Sequence, residues 1–282
     1  MSTTILESQE QYWNEDGGRR WISHWRKTEK MFVDLTATLL LKVGVRAGDM
    51  ILEVGCGQGI LTRKLAQHAG PEGRVLGVDI SEVILDVANN IDEQPDNVTF
   101  KRADAGKVAL GDERFDLIVS RFGVMFFEDP ITAFINLRRS LKGSGHVRFM
   151  CWRALKENPW LQEPAEAAFQ VLSRPETPAP NTPGPFSLAA PERLQEVLTS
   201  AGFADPELIP VDGEMRLGGL EEAVQYSAQM GPAGRAMKDV EDTDKARAIE
   251  AIRDSFAERD GPEGVVFPCA TWIVRTEKRG RG

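Results

Sequence analysis

Cysteine, histidine and basic charge are all scarce in this 282-residue chain, and each shortage removes a class of function. The three cysteines, Cys56, Cys151 and Cys269, stand far apart without close Cys or His neighbours, matching neither a disulfide framework nor a zinc-ligand spacing. They fit a reducing, cytoplasmic setting, and no metal constellation is visible. Thirty-four basic residues against 43 acidic ones leave a net charge of −9, a field that repels the phosphate backbone of a nucleic acid. Long apolar runs are missing too. Met50 to Val54 and Leu117 to Val119 are far too short to cross a bilayer, and Met1 to Tyr12 is polar and acidic, without the pattern of an export signal. The partner these exclusions leave is a small molecule, with neither nucleic acid nor membrane, and either a monomer or a homodimer is compatible with them.

What is present, 41% hydrophobic and 27% charged residues without an internal repeat, suits a globular protein with one full α/β domain and a cap. Residues 5 to 44 read as helical, because Trp21, Trp25, Met31, Phe32, Leu35, Leu39 and Leu40 recur at near-helical spacing before Gly44 and Gly48. Met50 to Val54 reads as a buried strand, followed by glycines and a helix through Leu61, Leu65 and Ala69. The alternation continues with a strand Arg74 to Val78 ending at Asp79, and a helix capped by Ser81 that runs to about Ile91. Strands Val98 to Arg102 and Phe115 to Ser120, a helix Pro130 to Leu141, and a strand Gly145 to Trp152 after a turn at Lys142 to Gly145 complete it.

Beyond residue 158 the rhythm breaks. An amphipathic helix is predicted over 158–173, and Arg174 to Pro185, with Pro175, Pro178, Pro180, Pro183 and Pro185, must be an ordered loop or a mobile flap. Pro191 to Ala201 is helical and Gly202 ends it. The last two strands are expected at Phe203 to Pro210 and Gly264 to Thr276, an antiparallel pair at the sheet edge, with helices near 219–230 and 241–258 between them. The pattern predicts an α/β fold with a doubly wound, seven-stranded, mostly parallel sheet, an N-terminal helical arm and a helical lid insertion. Its parts are an arm (1–44), a core (45–153), a helical, proline-rich cap (154–200) and a C-terminal part of the core sheet with inserted helices (201–282).

The segment from Ile51 to Gly59 places Gly55, Gly57 and Gly59 at alternate positions between a buried strand and a helix, where the chain turns sharply and a ligand can approach without meeting a Cβ. A dinucleotide fingerprint wants its last glycine three residues after the second, a position held by Ile60, so the spacing disfavours NAD and FAD. Glu53, an acid inside the strand, is placed to meet the cationic amino-acid part of a ligand, directly or through water. Asp79, at the end of the second strand, suits a ribose diol, and Asp104 with Ala105, past the third strand, suits an adenine.

Taken jointly, LEVGCGQG, GVDIS, RADA and FDLIVSRFGVMFFEDP, spread over about residues 45 to 155, resemble the class I S-adenosylmethionine-dependent methyltransferases, and within them the UbiE-like small-molecule group. The resemblance implies a Rossmann-like methyltransferase fold, S-adenosyl-L-methionine as cofactor and S-adenosyl-L-homocysteine as product. It implies that Glu53, Gly55, Cys56, Gly57, Gly59, Asp79, Ile80, Asp104, Ala105 and Ser120 contact that cofactor. A catalytically silent protein of the same fold, and a quinone-ring C-methylase as a special case, stay open beside the general small-molecule enzyme.

Methyl transfer is an in-line displacement that asks for alignment and exclusion of water rather than a covalent partner. Aromatic faces can hold a sulfonium, and Tyr12, Trp13, Trp21, Phe122 and Phe126 are candidates for the walls, with Trp152 and Trp160 as further substrate or lid residues. The segment Ser120-Arg121-Phe122-Gly123 lacks the Asn/Asp-Pro-Pro-Tyr type of motif carried by adenine and glutamine methylators. Arg121 is a candidate for binding a substrate carboxylate, with a structural salt bridge as the alternative. Of the three histidines, His68 and His146 read as structural and His24, in the arm, is the candidate base.

Overall fold

The computed structural model describes residues 8–92, 94–176, 179 and 182–279. Three helices open the chain, α1 (Gln9–Asn14), α2 (Asp16–Met31) and α3 (Val33–Val43), followed by β1 (Met50–Val54), α4 (Ile60–Ala69), β2 (Arg74–Asp79), α5 (Glu82–Asn89) and β3 (Val98–Arg102). Next come β4 (Phe115–Arg121), α6 (Pro130–Ser140), β5 (Leu141–Trp152), α7 (Pro159–Ala168) and α8 (Pro191–Ser200). The chain ends with β6 (Glu207–Arg216), α9 (Leu220–Gln229), α10 (Gly231–Ala236), α11 (Asp242–Ala257), β7 (Asp260–Gly261) and β8 (Gly264–Glu277). Among the described residues no helix is long and apolar enough to cross a membrane.

Local chemistry sets several boundaries. Ser81 Oγ accepts from Ile84 N at 3.3 Å and starts α5, and Asp129 accepts from Thr132 N at 3.1 Å to start α6, with Pro130 at a position that needs no N–H. Gly44, at φ 67°, ends α3 in the left-handed conformation that side chains with a Cβ avoid.

The sheet runs in the order β3-β2-β1-β4-β5-β8-β6, with β7 pairing only to β8. Strands β1 to β5 are parallel, and β8 is antiparallel to both β5 and β6. The chain winds outward from β1 to β3, then crosses back to β4. The carboxyl ends of β1 and β4 therefore bound the crevice where such sheets take ligands. Apolar side chains such as Leu39, Ile51, Ile118, Phe134 and Phe149 are fully buried around this sheet, each contributing about 1.5–3 kcal/mol by leaving water.

Several predicted boundaries shift. The expected turn at Lys142 to Gly145 is a bulge within β5, because Phe115 pairs with Leu141 while Leu117 pairs with His146. Gly145 fits there because a Cβ would stand 2.9 Å from Phe115 O. The strand expected at Phe203 to Pro210 lies instead at Glu207–Arg216, and Phe203 makes only an isolated bridge to Lys278. This is the sheet's edge, so most of its side chains are exposed or half-buried, its apolar signal is weak, and Pro210 is tolerated. The helix predicted to 173 ends at Ala168, the helix α10 and the short β7 were not anticipated, and Pro178 and Pro180 lie outside the described residues.

Candidate active site

Past β1 the backbone turns through Gly55, Gly57 and Gly59 at φ 68°, 55° and 75°. The three glycines do different work. A Cβ on Gly55 would meet the Cα of Gly123 at 2.7 Å, so the turn packs directly on the loop after β4. Gly57 has no such neighbour, its nearest atom being Trp21 Nε1 at 4.0 Å, and it leaves an open cradle. A Cβ on Gly59 would strike the Phe100 ring at 2.2 Å. Gly59 serves packing behind the turn and is not among the residues that line the cavity.

A cavity of about 400 Å³ crosses the carboxyl ends of the parallel strands. On the side of β1 to β3 it is lined by Glu53, Gly55, Cys56, Gly57, Asp79, Ile80, Asp104 and Ala105, and over β4 and β5 by Arg121, Phe122 and Trp152. Tyr12, Trp13, Trp21, Phe126 and Trp160 also face it. Two expected members do not. Ser120 is buried and donates from Oγ to Val54 O at 2.8 Å while accepting from Gly123 N at 3.1 Å, so it braces Gly123 against the glycine turn. His24 Nε2 lies 2.9 Å from Gln229 Oε1, its ring edge-on to Tyr226, outside the cavity lining. His24 therefore stands behind Tyr226 rather than on the cavity wall, a placement that does not favour the expected role as base.

Asp79 ties the turn to β2: its carboxylate accepts from Gly57 N at 2.9 Å and Ser81 N at 3.0 Å, while burial pushes its pKa up. Glu53 is 2% exposed and accepts from Thr62 Oγ1 at 2.5 Å. Burial raises its pKa to about 8, opposed by the Thr62 hydrogen bond and by the charge of Arg121. Without a cationic partner it holds its proton at neutral pH. Asp104 accepts from Gly106 N at 2.9 Å and meets Lys107 at 3.1 Å.

The arm is fastened over this floor. Asn14 donates to Ile80 O at 3.2 Å and accepts from Glu82 N at 2.8 Å, and Ser81 Oγ donates to Trp13 O at 2.6 Å. Trp13 then stands edge-on to Phe126 at 5.1 Å and to Trp21 at 6.2 Å. Trp21 Nε1 donates to Gln58 Oε1 at 3.1 Å. An indole nitrogen can only donate, so this bond fixes the amide orientation and leaves Gln58 Nε2 a buried donor without a partner at the cavity wall. Farther along, Phe122 stacks on Trp152 at 4.2 Å and 5°, with Phe32 tilted against both. Phe122 holds φ 64°, a strained value for a bulky residue, which this packing and its hydrogen bond to Met150 O retain.

Sequence reasoning missed Gln58, Glu29, Phe32 and Tyr226, all of which line the cavity. Gln58 sits inside the glycine motif and its position was a usable signal. Glu29 lies in the charged run Arg26 to Lys30 and looks like any solvated helix face. Arg121 pairs with it through Nη1 to Oε2 at 2.9 Å and Nη2 to Oε1, the salt-bridge alternative rather than a free cation. Among the described residues no group of His, Cys, Asp and Glu could hold a metal.

An open glycine cradle, an orphaned amide donor and two buried acids suit a ligand with a nucleoside at one end and a zwitterion at the other. A β3-β2-β1-β4-β5 sheet with this cradle at its switch point is a Rossmann-like arrangement, one shared with solved S-adenosylmethionine-binding methyltransferases. Residues 51–145 match the family described as methyltransferase domain. It is 35% identical over 105 residues to demethylmenaquinone methyltransferase of Staphylococcus aureus, a match covering 37% of this chain and 44% of the relative, less than half of that relative's length. A solved phosphoethanolamine N-methyltransferase 2 of Haemonchus contortus, in complex with S-adenosyl-L-methionine, superimposes at a TM-score of 0.60 with 16% identity, covering 98% of this chain and 61% of that one. The YcgJ protein of Bacillus subtilis does so at 0.57 with 16% identity, covering 87% and 98%. At such identities the two solved structures speak for the fold alone.

Proposed function

We propose that this chain transfers a methyl group from S-adenosyl-L-methionine to a small-molecule acceptor by in-line displacement, with S-adenosyl-L-homocysteine as product. One observation carries this reading: a single cavity joins the glycine cradle over β1 to β3 to an aromatic chamber over β4 and β5, so donor and acceptor share one water-poor space. The cofactor supplies a methyl group on a cationic sulfur. The chain's own residues bind and orient: Asp79 would accept from the ribose diol, Asp104 and Ala105 would border the adenine, and the free Gln58 amide would donate to the carboxylate of the amino-acid end. Glu53, once ionised, would face its ammonium group. Tyr12, Trp13 and Trp21 from the arm, with Phe126 from the loop after β4, would close the cradle, and the segment 154–200 would act as lid over the acceptor. The relative from S. aureus is named for demethylmenaquinone, and its partial match makes a quinone-ring acceptor a special case of this proposal.

Calorimetric titration with S-adenosylmethionine and S-adenosylhomocysteine, with NADH as control and Asp79→Ala as site variant, tests it. Binding of both sulfur ligands, lost in the folded variant, is the expected result. A folded wild-type protein that binds neither ends the proposal.

A further inference from the structure

The acceptor side of the cavity is mostly apolar, and the buried charges on it form one pair. Glu29, near the end of α2, and Arg121, the last residue of β4, form a forked ion pair with side chains only 14% and 10% exposed. Thr36 Oγ1 accepts a further bond from Arg121 at 2.5 Å, and the guanidinium lies over the Phe32 ring at 5.6 Å. The pair's place relative to the cofactor side follows from the sheet. Glu53 pairs with Val119 in register, and Arg121, two residues on, shares the face of Val119. Both members of the pair act on the Glu53 carboxyl, Arg121 favouring its ionisation and Glu29 opposing it. The pair therefore sits where the aromatic chamber meets the amino-acid end of the cofactor site. The other cation lining that side, Arg235, is exposed to solvent.

A buried ion pair with no net charge discriminates among acceptors. An ammonium would find Glu29 but be repelled by Arg121, and a carboxylate would meet the reverse. A hydroxyl both donates and accepts, so it can give its hydrogen to Glu29 and take one from Arg121. Each carboxylate oxygen keeps spare lone-pair capacity beyond the bond it accepts from Arg121. No histidine lines the cavity, and Glu29 is the carboxylate on its acceptor side among the described residues. The stacked Phe122 and Trp152, with Phe32 and Trp160, favour a flat apolar body.

We propose that the acceptor is a neutral, flat aromatic bearing a hydroxyl, bound by the Glu29–Arg121 pair, with Glu29 as its proton acceptor. This rests on the methyl-transfer reading above. The acceptor oxygen forms the new bond to the methyl carbon, the carbon–sulfur bond breaks with its electron pair left on sulfur, and the hydroxyl proton passes to Glu29. Water later removes that proton, leaving an aryl methyl ether and a neutral thioether.

The test compares three probes with one ring system, 2-naphthol, 2-naphthylamine and 2-naphthoic acid, by calorimetry with and without S-adenosylhomocysteine. The naphthol is expected to bind at least about tenfold more tightly than the others, and Glu29→Gln to abolish that preference. Transfer of labelled methyl to 2-naphthol should fall about 100-fold or more in Glu29→Gln, while S-adenosylhomocysteine affinity is kept. Removing one partner of a buried pair can unfold a protein, so the neutral double variant Glu29→Gln with Arg121→Gln, checked by circular dichroism, carries the same comparison. Equal affinities for the three probes, or a naphthol preference that survives in a folded variant, overturns the proposal. Loss of the methyl-transfer reading would show differently, as a folded wild-type protein that binds no S-adenosylhomocysteine.

Discussion

Gly55 and Gly123 meet backbone to backbone, with a Cβ on Gly55 placed 2.7 Å from Gly123 Cα, so the loops after β1 and β4 are held at a spacing only two glycines allow. Gly55→Ala therefore combines a left-handed φ with a clash against backbone that cannot rotate away. The expected loss is about 2–4 kcal/mol of stability, read as a lower urea midpoint, with cofactor affinity falling alongside. Gly57→Ala is the contrast. It meets no nearby atom, so stability should drop only about 1–2 kcal/mol, while affinity for S-adenosylhomocysteine falls at least about tenfold because the new methyl group occupies the cradle.

Glu53 makes both stability and binding depend on pH. Its carboxyl pKa rises from 4.5 to about 8 on burial, so between these values the folded chain holds a proton that the unfolded chain has lost. This contribution to stability is full below about pH 4.5 and is lost as pH rises through about 8. Chemical denaturation at pH 5.5 and 8.5 should show a fall across this window that Glu53→Gln removes. Binding of the ligand's ammonium group should ionise Glu53 and release a proton at pH 7. Titration in buffers of different ionisation enthalpy measures that release, and finding none in the wild type would refute the assigned contact.

The cysteines should be inert in the folded protein. Cys56, Cys151 and Cys269 are all buried, and burial pushes each thiol upward, Cys269 to about 12. Iodoacetamide at pH 8 is expected to label none of them in native buffer and all of them in urea, which intact-mass measurement resolves. Rapid native labelling of Cys56 would show that the glycine turn opens.

His24→Ala should leave turnover within about twofold of wild type, because the imidazole meets Gln229 rather than the cavity. A loss of about 100-fold with unchanged folding would restore a catalytic role for His24.

The legible parts of this protein are those written in neighbouring residues. Strands β1 and β4 announced themselves as short apolar runs, because central parallel strands are buried on both faces. The edge strand β6 was displaced by several residues, since a strand with an exposed face and a single neighbour carries little hydrophobic signal. Within the glycine triplet the sequence could not divide labour: Gly55 packs on Gly123, Gly57 faces the cavity, and Gly59 packs on Phe100. Ser120 shows the same limit from the other side, being close to the site in sequence yet aimed at Val54 and Gly123.

From the sequence alone came the alternation of strands and helices, the turn at Gly55 to Gly59, and the acids at Glu53 and Asp79, because these depend on backbone conformation and burial over a few residues. Only the tertiary structure decided that Glu29 meets Arg121 across 92 residues, that Trp21 fixes the amide of Gln58, and that His24 is turned away. The physical reason is that a polar side chain's role depends on which partner packing brings within hydrogen-bond reach, and that partner is set by the topology of the whole sheet rather than by the residue's neighbours in the chain.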